Sequence, residues 1–112
     1  MKSQRFIMLP HAVYDSPAFA MLAPIDIAVL LLLIRKHNGR NNGAIALGIR
    51  EIAAKCRCGK STAARALDSL QTAGLVALAR KGHLVPEIGR ANVASHWRLA
   101  FVPEAPMTKE AN

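Results

Sequence analysis

The sequence predicts a small α+β fold, mostly α, in which a three-helix core is followed by a C-terminal β-hairpin. Three observations carry that prediction. Gly48 to Val76, GIREIAAKCRCGKSTAARALDSLQTAGLV, reads as two short helices, a tight turn and an immediate strand. Ahead of it, Ile25 to His37 has the length and composition of a further helix. Behind it, Leu75 to Lys81 and Ser95 to Phe101 read as strands joined by a basic, glycine-containing loop.

With 112 residues the chain holds one domain and one modest core. The reading places that domain at 1–102, with 1–23 as an N-terminal extension and 103–112 as a polar, proline-bearing disordered tail. Fifteen Lys and Arg against seven Asp and Glu give a formal charge of +8, and the isoelectric point near 10.4 lies in the range of nucleic-acid-binding domains. The cations are spread over the Arg57 to Arg65 turn and helix, the Arg80-Lys81 pair and Arg90 to Arg98, so the charge belongs to the fold. The two cysteines, Cys56 and Cys58, are too close for an ordinary disulfide and too few for a zinc set, which points to a reducing cytoplasm. No secretory leader is read at the N-terminus. The longest apolar run, Ile27 to Ile34, falls far short of the ~20 residues of a membrane span.

Along the chain, Arg5 to Leu9 is apolar enough to add an edge strand or to lie along the core. Asp15-Ser16-Pro17 starts a short helix to about Leu22, with a capping oxygen before a proline at the first helical position. Pro24 and Asp26 repeat the signal for the next helix, which ends in Arg35, Lys36 and His37 before Asn38-Gly39. That helix is apolar nearly all round. If Ala28, Val29, Leu32 and Leu33 face the core, Ile27, Leu30, Leu31 and Ile34 need another cover, either the N-terminal segment or a second copy of the chain. A homodimer through the 25–34 helix is thus one of two expectations that the sequence leaves open.

Asn38 to Gly43 is a turn-rich loop, and Ala44 to Leu47 is a short strand. In the next two helices, Ile49, Ile52, Ala53 and Cys56, then Ala63, Ala66, Leu67 and Leu70, recur at spacings of three and four, so each has one buried face. Between them Arg57-Cys58-Gly59 allows only a sharp change of direction, for which Gly59 is expected to supply the unusual backbone angles. Gly74 sits where a left-handed cap ends the second of these helices. In the last strand Ser95, Trp97, Leu99 and Phe101 alternate with His96, Arg98 and Ala100, a half-buried pattern.

This order of elements resembles the winged helix-turn-helix fold over roughly Pro24 to Leu99. The run REIA at Arg50 to Ala53, STAARAL at Ser61 to Leu67, Leu70 and GLV at Gly74 to Val76 are similar to the pattern of GntR-type and other bacterial and phage winged-helix regulators. SPAFAML and NNGAIAL are also similar to small winged-helix proteins of phages and mobile elements, including N-terminal domains of some replication initiators. Two features depart from the pattern. Gly48 and Gly59 stand where Ser or Thr commonly caps both helices, and Arg57 and Cys58 occupy a turn where small or apolar residues are commoner. The length leaves no room for the effector domain of a GntR-type repressor.

The resemblance implies double-stranded DNA as the partner, with helix 60–73 in the major groove and the 80–92 wing on the backbone. Lys60, Ser61, Thr62 and Arg65 are then the reading residues. Arg65 suits the paired acceptors of guanine, Ser61 and Thr62 suit phosphate or base, and Lys60 suits a phosphate. Arg50, Arg80, Lys81, His83 and Arg90 would neutralise phosphates and set register. The plainer reading of all these cations is a solvated face.

Other chemistry fits worse. Gly59-Lys60-Ser61 mimics the end of a phosphate-binding loop, but Ala54 stands where that pattern needs glycine and a helix precedes it. Cys56 on an apolar face reads as a buried residue, not a metal ligand. His11, His37, His83 and His96 have no spacing to a serine or carboxylate that makes a triad. No enzyme activity, metal or cofactor is expected. Besides a sequence-specific DNA-binding protein, either a transcriptional regulator or a replication factor, the sequence admits a protein-protein interaction module on the same fold and a shape-reading nucleic-acid-binding protein.

Overall fold

The structure, a computed structural model, describes residues 4–85 and 91–102. Arg90 and the 103–112 segment, expected to be a disordered tail, lie outside the described residues, and the side chains of 83–85 and 91–93 are not described. Two one-turn helices, α1 (His11–Tyr14) and α2 (Pro17–Ala20), precede three longer ones, α3 (Pro24–Lys36), α4 (Ile49–Cys56) and α5 (Lys60–Thr72). Strand β1 (Ile45–Ala46) lies between α3 and α4, and β2 (Val76–Arg80), β3 (His83–Val85), β4 (Ala91–Val93) and β5 (His96–Leu99) follow α5. The fold is an α+β winged helix-turn-helix.

Helix starts follow their local chemistry. The Ser16 hydroxyl accepts from the Phe19 N–H at 3.2 Å and starts α2 as the Asp15-Ser16-Pro17 signal predicts. At α3 the N-cap is Ala23, which has no side-chain oxygen, so the Asp26 carboxylate alone closes the turn by accepting from the Ala23 N–H at 2.9 Å. Asp26 is buried, and Pro24 at the first helical position gives up no intrahelical bond.

The three long helices pack on one another, and β5 runs between β1 and β2 in an antiparallel sheet of order β1-β5-β2. Val76 pairs with Leu99 and Ile45 with Trp97, so the sheet adds Trp97 and Leu99 to the core of Val29, Leu30, Leu33, Ile52, Ala63, Ala66, Leu67 and Leu70. Two buried polar side chains hold the sheet to its surroundings. Asn42 donates to the Leu99 and Val102 carbonyls at 3.0 and 2.7 Å and accepts from the Leu99 N–H at 2.7 Å. Trp97 Nε1 donates to the Leu47 carbonyl at 2.8 Å.

Three expectations are corrected. The inward face of α3 is Val29, Leu30, Leu33 and Ile34, whereas Ala28 and Leu32 are only half-buried and Leu31 is exposed. The face is turned by one residue, roughly 100°, because α3 packs against both α4 and α5. Secondly, Arg57, and not Gly59, carries the left-handed backbone of the turn, with φ 56° and ψ 52°. It closes α4 while the Cys58 N–H reaches the Ala53 carbonyl at 3.1 Å; Gly59 is extended at φ −75° and caps α5. Thirdly, the expected wing loop contains a hairpin of its own, in which His83 pairs with Val93 and Val85 with Ala91. The segment Arg5 to Leu9 forms no strand; Leu9 packs against the core while Phe6, Ile7 and Met8 are exposed.

Candidate nucleic-acid interface

Helix α5 has two distinct faces. Ala63, Ala66, Leu67 and Leu70 are buried, and the small side chains at 63 and 66 suit the close packing of α5 on α3 and α4. The helical period then puts Lys60, Ser61, Ala64, Arg65 and Asp68 on the outside, where all five are exposed; Thr62 is half-buried at the edge of that face. Arg50 is exposed at the start of α4, next to Glu51, whose carboxylate instead pairs with Lys36 of α3 at 2.7 Å. Arg80 and Lys81 are exposed where β2 ends, and His83 lies in β3.

A surface groove of about 440 Å³ joins these elements. It is lined by Gly48 and Ile49 at the start of α4, by Arg65, Asp68 and Gln71 of α5, and by Ser95 just before β5. Ser95 also fixes the base of the wing, because its hydroxyl accepts from the Gly82 N–H at 2.8 Å. The structure therefore brings Arg65 beside the start of α4 and the wing base, while Lys60 and Ser61 occupy the first turn of α5. Asp68, Gln71 and Ser95 were not among the expected contact residues. For Asp68 and Gln71 the signal was present: they follow Arg65 at helical spacings of three and six. Ser95 becomes a neighbour only through the wing's return to the sheet.

Among the described residues, Arg50, Lys60, Arg65, Arg80 and Lys81 form no ion pair and no side-chain hydrogen bond. The face is thus cationic, and no described residue pairs with it. At the neighbouring turn both thiols are free and half-buried, and burial, with the charge of Cys58 second, pushes the Cys56 thiol above its ordinary value. Among the described residues no group of three or more His, Cys, Asp or Glu is placed to hold a metal ion. No described helix is long and apolar enough to cross a membrane.

A family model for the helix-turn-helix domain matches residues 21–76, which run from just before α3 to the first residue of β2. The chain belongs to the helix-turn-helix domain family. The matched part of this helix-turn-helix protein is the helical core with β1; the wing and the N-terminal segment lie outside it. Comparison with curated proteins and with solved structures found no match.

Proposed function

We propose that this helix-turn-helix protein binds double-stranded DNA sequence-specifically, with α5 in the major groove and the wing on the backbone. The observation that carries the reading is the exposed stripe Lys60, Ser61, Ala64 and Arg65 directly opposite a fully buried face of the same helix. A face held rigidly by core packing can present side chains to base edges with little loss of conformational freedom. Arg65 reads a guanine, and the Ala64 methyl is small enough to let the helix approach or to meet a thymine methyl. Lys60, Arg50, Arg80, Lys81, His83 and Arg90 contact phosphates and set register. Ser61 and Thr62 donate to phosphate or base. Asp68 repels phosphates and limits where along the groove α5 can settle.

The unit taken to act is a single domain, 1–102, with 1–23 as an N-terminal extension that contributes Val13 and Phe19 to the core. Its role is that of a regulator or replication-associated factor of the kind the GntR-type pattern suggests, in a cytoplasmic setting where two free thiols persist. Selection from a random duplex library at low salt tests the reading. A preferred site is expected, and Arg65→Ala should weaken that site by about 1–3 kcal/mol while changing random-duplex affinity far less. Equal losses on both would remove Arg65 from the specific contacts. No duplex binding at low salt would overturn the DNA reading and favour an interaction module.

A further inference from the structure

Two adjoining cavities meet at His37, at the C-terminal end of α3. The larger, about 800 Å³, is apolar, with Ile7, Leu9, Ile34, Phe101 and Val102 among its walls. The smaller, about 430 Å³, shares Phe6, Ile7, Ile34 and His37 with it and adds Arg5 and Arg35. Among the described residues no Asp or Glu lines either cavity, and Arg5 and Arg35 form no ion pair. His37 lines both cavities, and its Nε2 is buried and has no hydrogen-bond partner among the described residues. A buried polar atom without a partner is a standing cost that a ligand oxygen would relieve.

We propose that the two cavities form one site for an amphiphilic anion, a small molecule with an apolar or aromatic body and a carboxylate head. The body occupies the larger cavity, whose volume lies within the ~300–1,000 Å³ of small-molecule sites. The carboxylate lies at Arg5 and Arg35, where guanidinium forks match its two oxygens, and one oxygen meets His37 Nε2. A second copy of this chain is a poor occupant, because docking on the same face would oppose like-charged arginines. The site is independent of the DNA reading, since neither Arg5, Arg35 nor His37 belongs to the proposed interface.

Calorimetric titration of the full chain with decanoate and with 1-naphthoate, each beside its uncharged alcohol and below its micelle concentration, tests this. Each acid is expected to saturate at one per chain and to bind at least about tenfold more tightly than its alcohol; the tighter acid identifies the body as linear or aromatic. The Arg5→Gln, Arg35→Gln double variant, which changes only exposed side chains, should bring acid affinity down to that of the alcohol and leave the alcohol unchanged. His37→Phe should weaken the acids in an otherwise folded chain. Failure of both acids to saturate in the millimolar range, equal affinity of acid and alcohol, or an unchanged acid affinity in the double variant would each overturn the proposal.

Discussion

Arg57 shows how a single residue can carry the strain of a whole turn. A side chain with Cβ in the left-handed region costs about 1–2 kcal/mol, and glycine avoids that cost while losing about 0.5–1 kcal/mol of chain entropy on folding. Arg57→Gly is therefore expected to raise stability by roughly 0.5–1 kcal/mol, a gain of a few degrees in the midpoint of a thermal melt; an unchanged or lower midpoint would mean the Arg57 side chain stabilises the turn by a contact of its own. Sequence reading put the conformational freedom at Gly59 because glycine is the residue that permits it. The chain instead uses Gly59 as an extended N-cap, a position whose angles any residue can adopt. Cys56 sets a second expectation at this turn. Its thiol value is raised in the folded chain, so the unfolded chain loses the proton first, and its contribution is present below the ordinary value of 9.0 and lost as pH rises through the higher folded value. Urea melts at pH 8 and pH 10 should show an alkaline loss that shrinks in Cys56→Ser.

At the scale of elements, the helices were legible because their signals are local. The α5 start, its three-and-four spacing and its end all lie within 60–75, and the end is a Schellman motif: Gly74, at φ 79°, donates to Gln71 at 3.0 Å and Leu75 to Leu70 at 3.1 Å. The facing of α3 was not legible, because its apolar residues surround the helix and only the positions of α4 and α5 choose among them. The β3–β4 hairpin was missed for a similar reason, since three-residue strands carry too little alternation to register. Nor does sequence reveal that Asn42 joins the loop before β1 to the last strand, fifty-seven residues away. That side chain satisfies both backbone groups of Leu99 inside the protein, so Asn42→Ala is expected to cost about 2–4 kcal/mol, read as a lower denaturation midpoint with an unchanged slope. The half-exposed Lys36–Glu51 pair between α3 and α4 is a contrast: a double-mutant cycle should return no more than about 1 kcal/mol.

For the molecule as a whole, the location of charge decides more than its amount. The formal charge of +8 would draw any basic chain to DNA, but it does not say how many cations meet phosphates together. In this fold the start of α4, the first turn of α5 and the end of β2 present Arg50, Lys60, Arg80 and Lys81, and Arg65 is exposed on α5. If about five cations displace counterions, the logarithm of affinity should fall against the logarithm of salt with a slope of about −4.5, a loss of roughly 500-fold between 50 and 200 mM. Fluorescence anisotropy on a short labelled duplex across that range measures the slope directly. Lys60→Ala and Arg80→Ala should each make it shallower by about one, and the double variant by about two, because each removes one phosphate contact without moving the others. A wild-type slope shallower than about −2, or variants that change affinity with no change in slope, would place these cations in solvent and leave α5 without the backbone contacts that hold a reading helix in its groove.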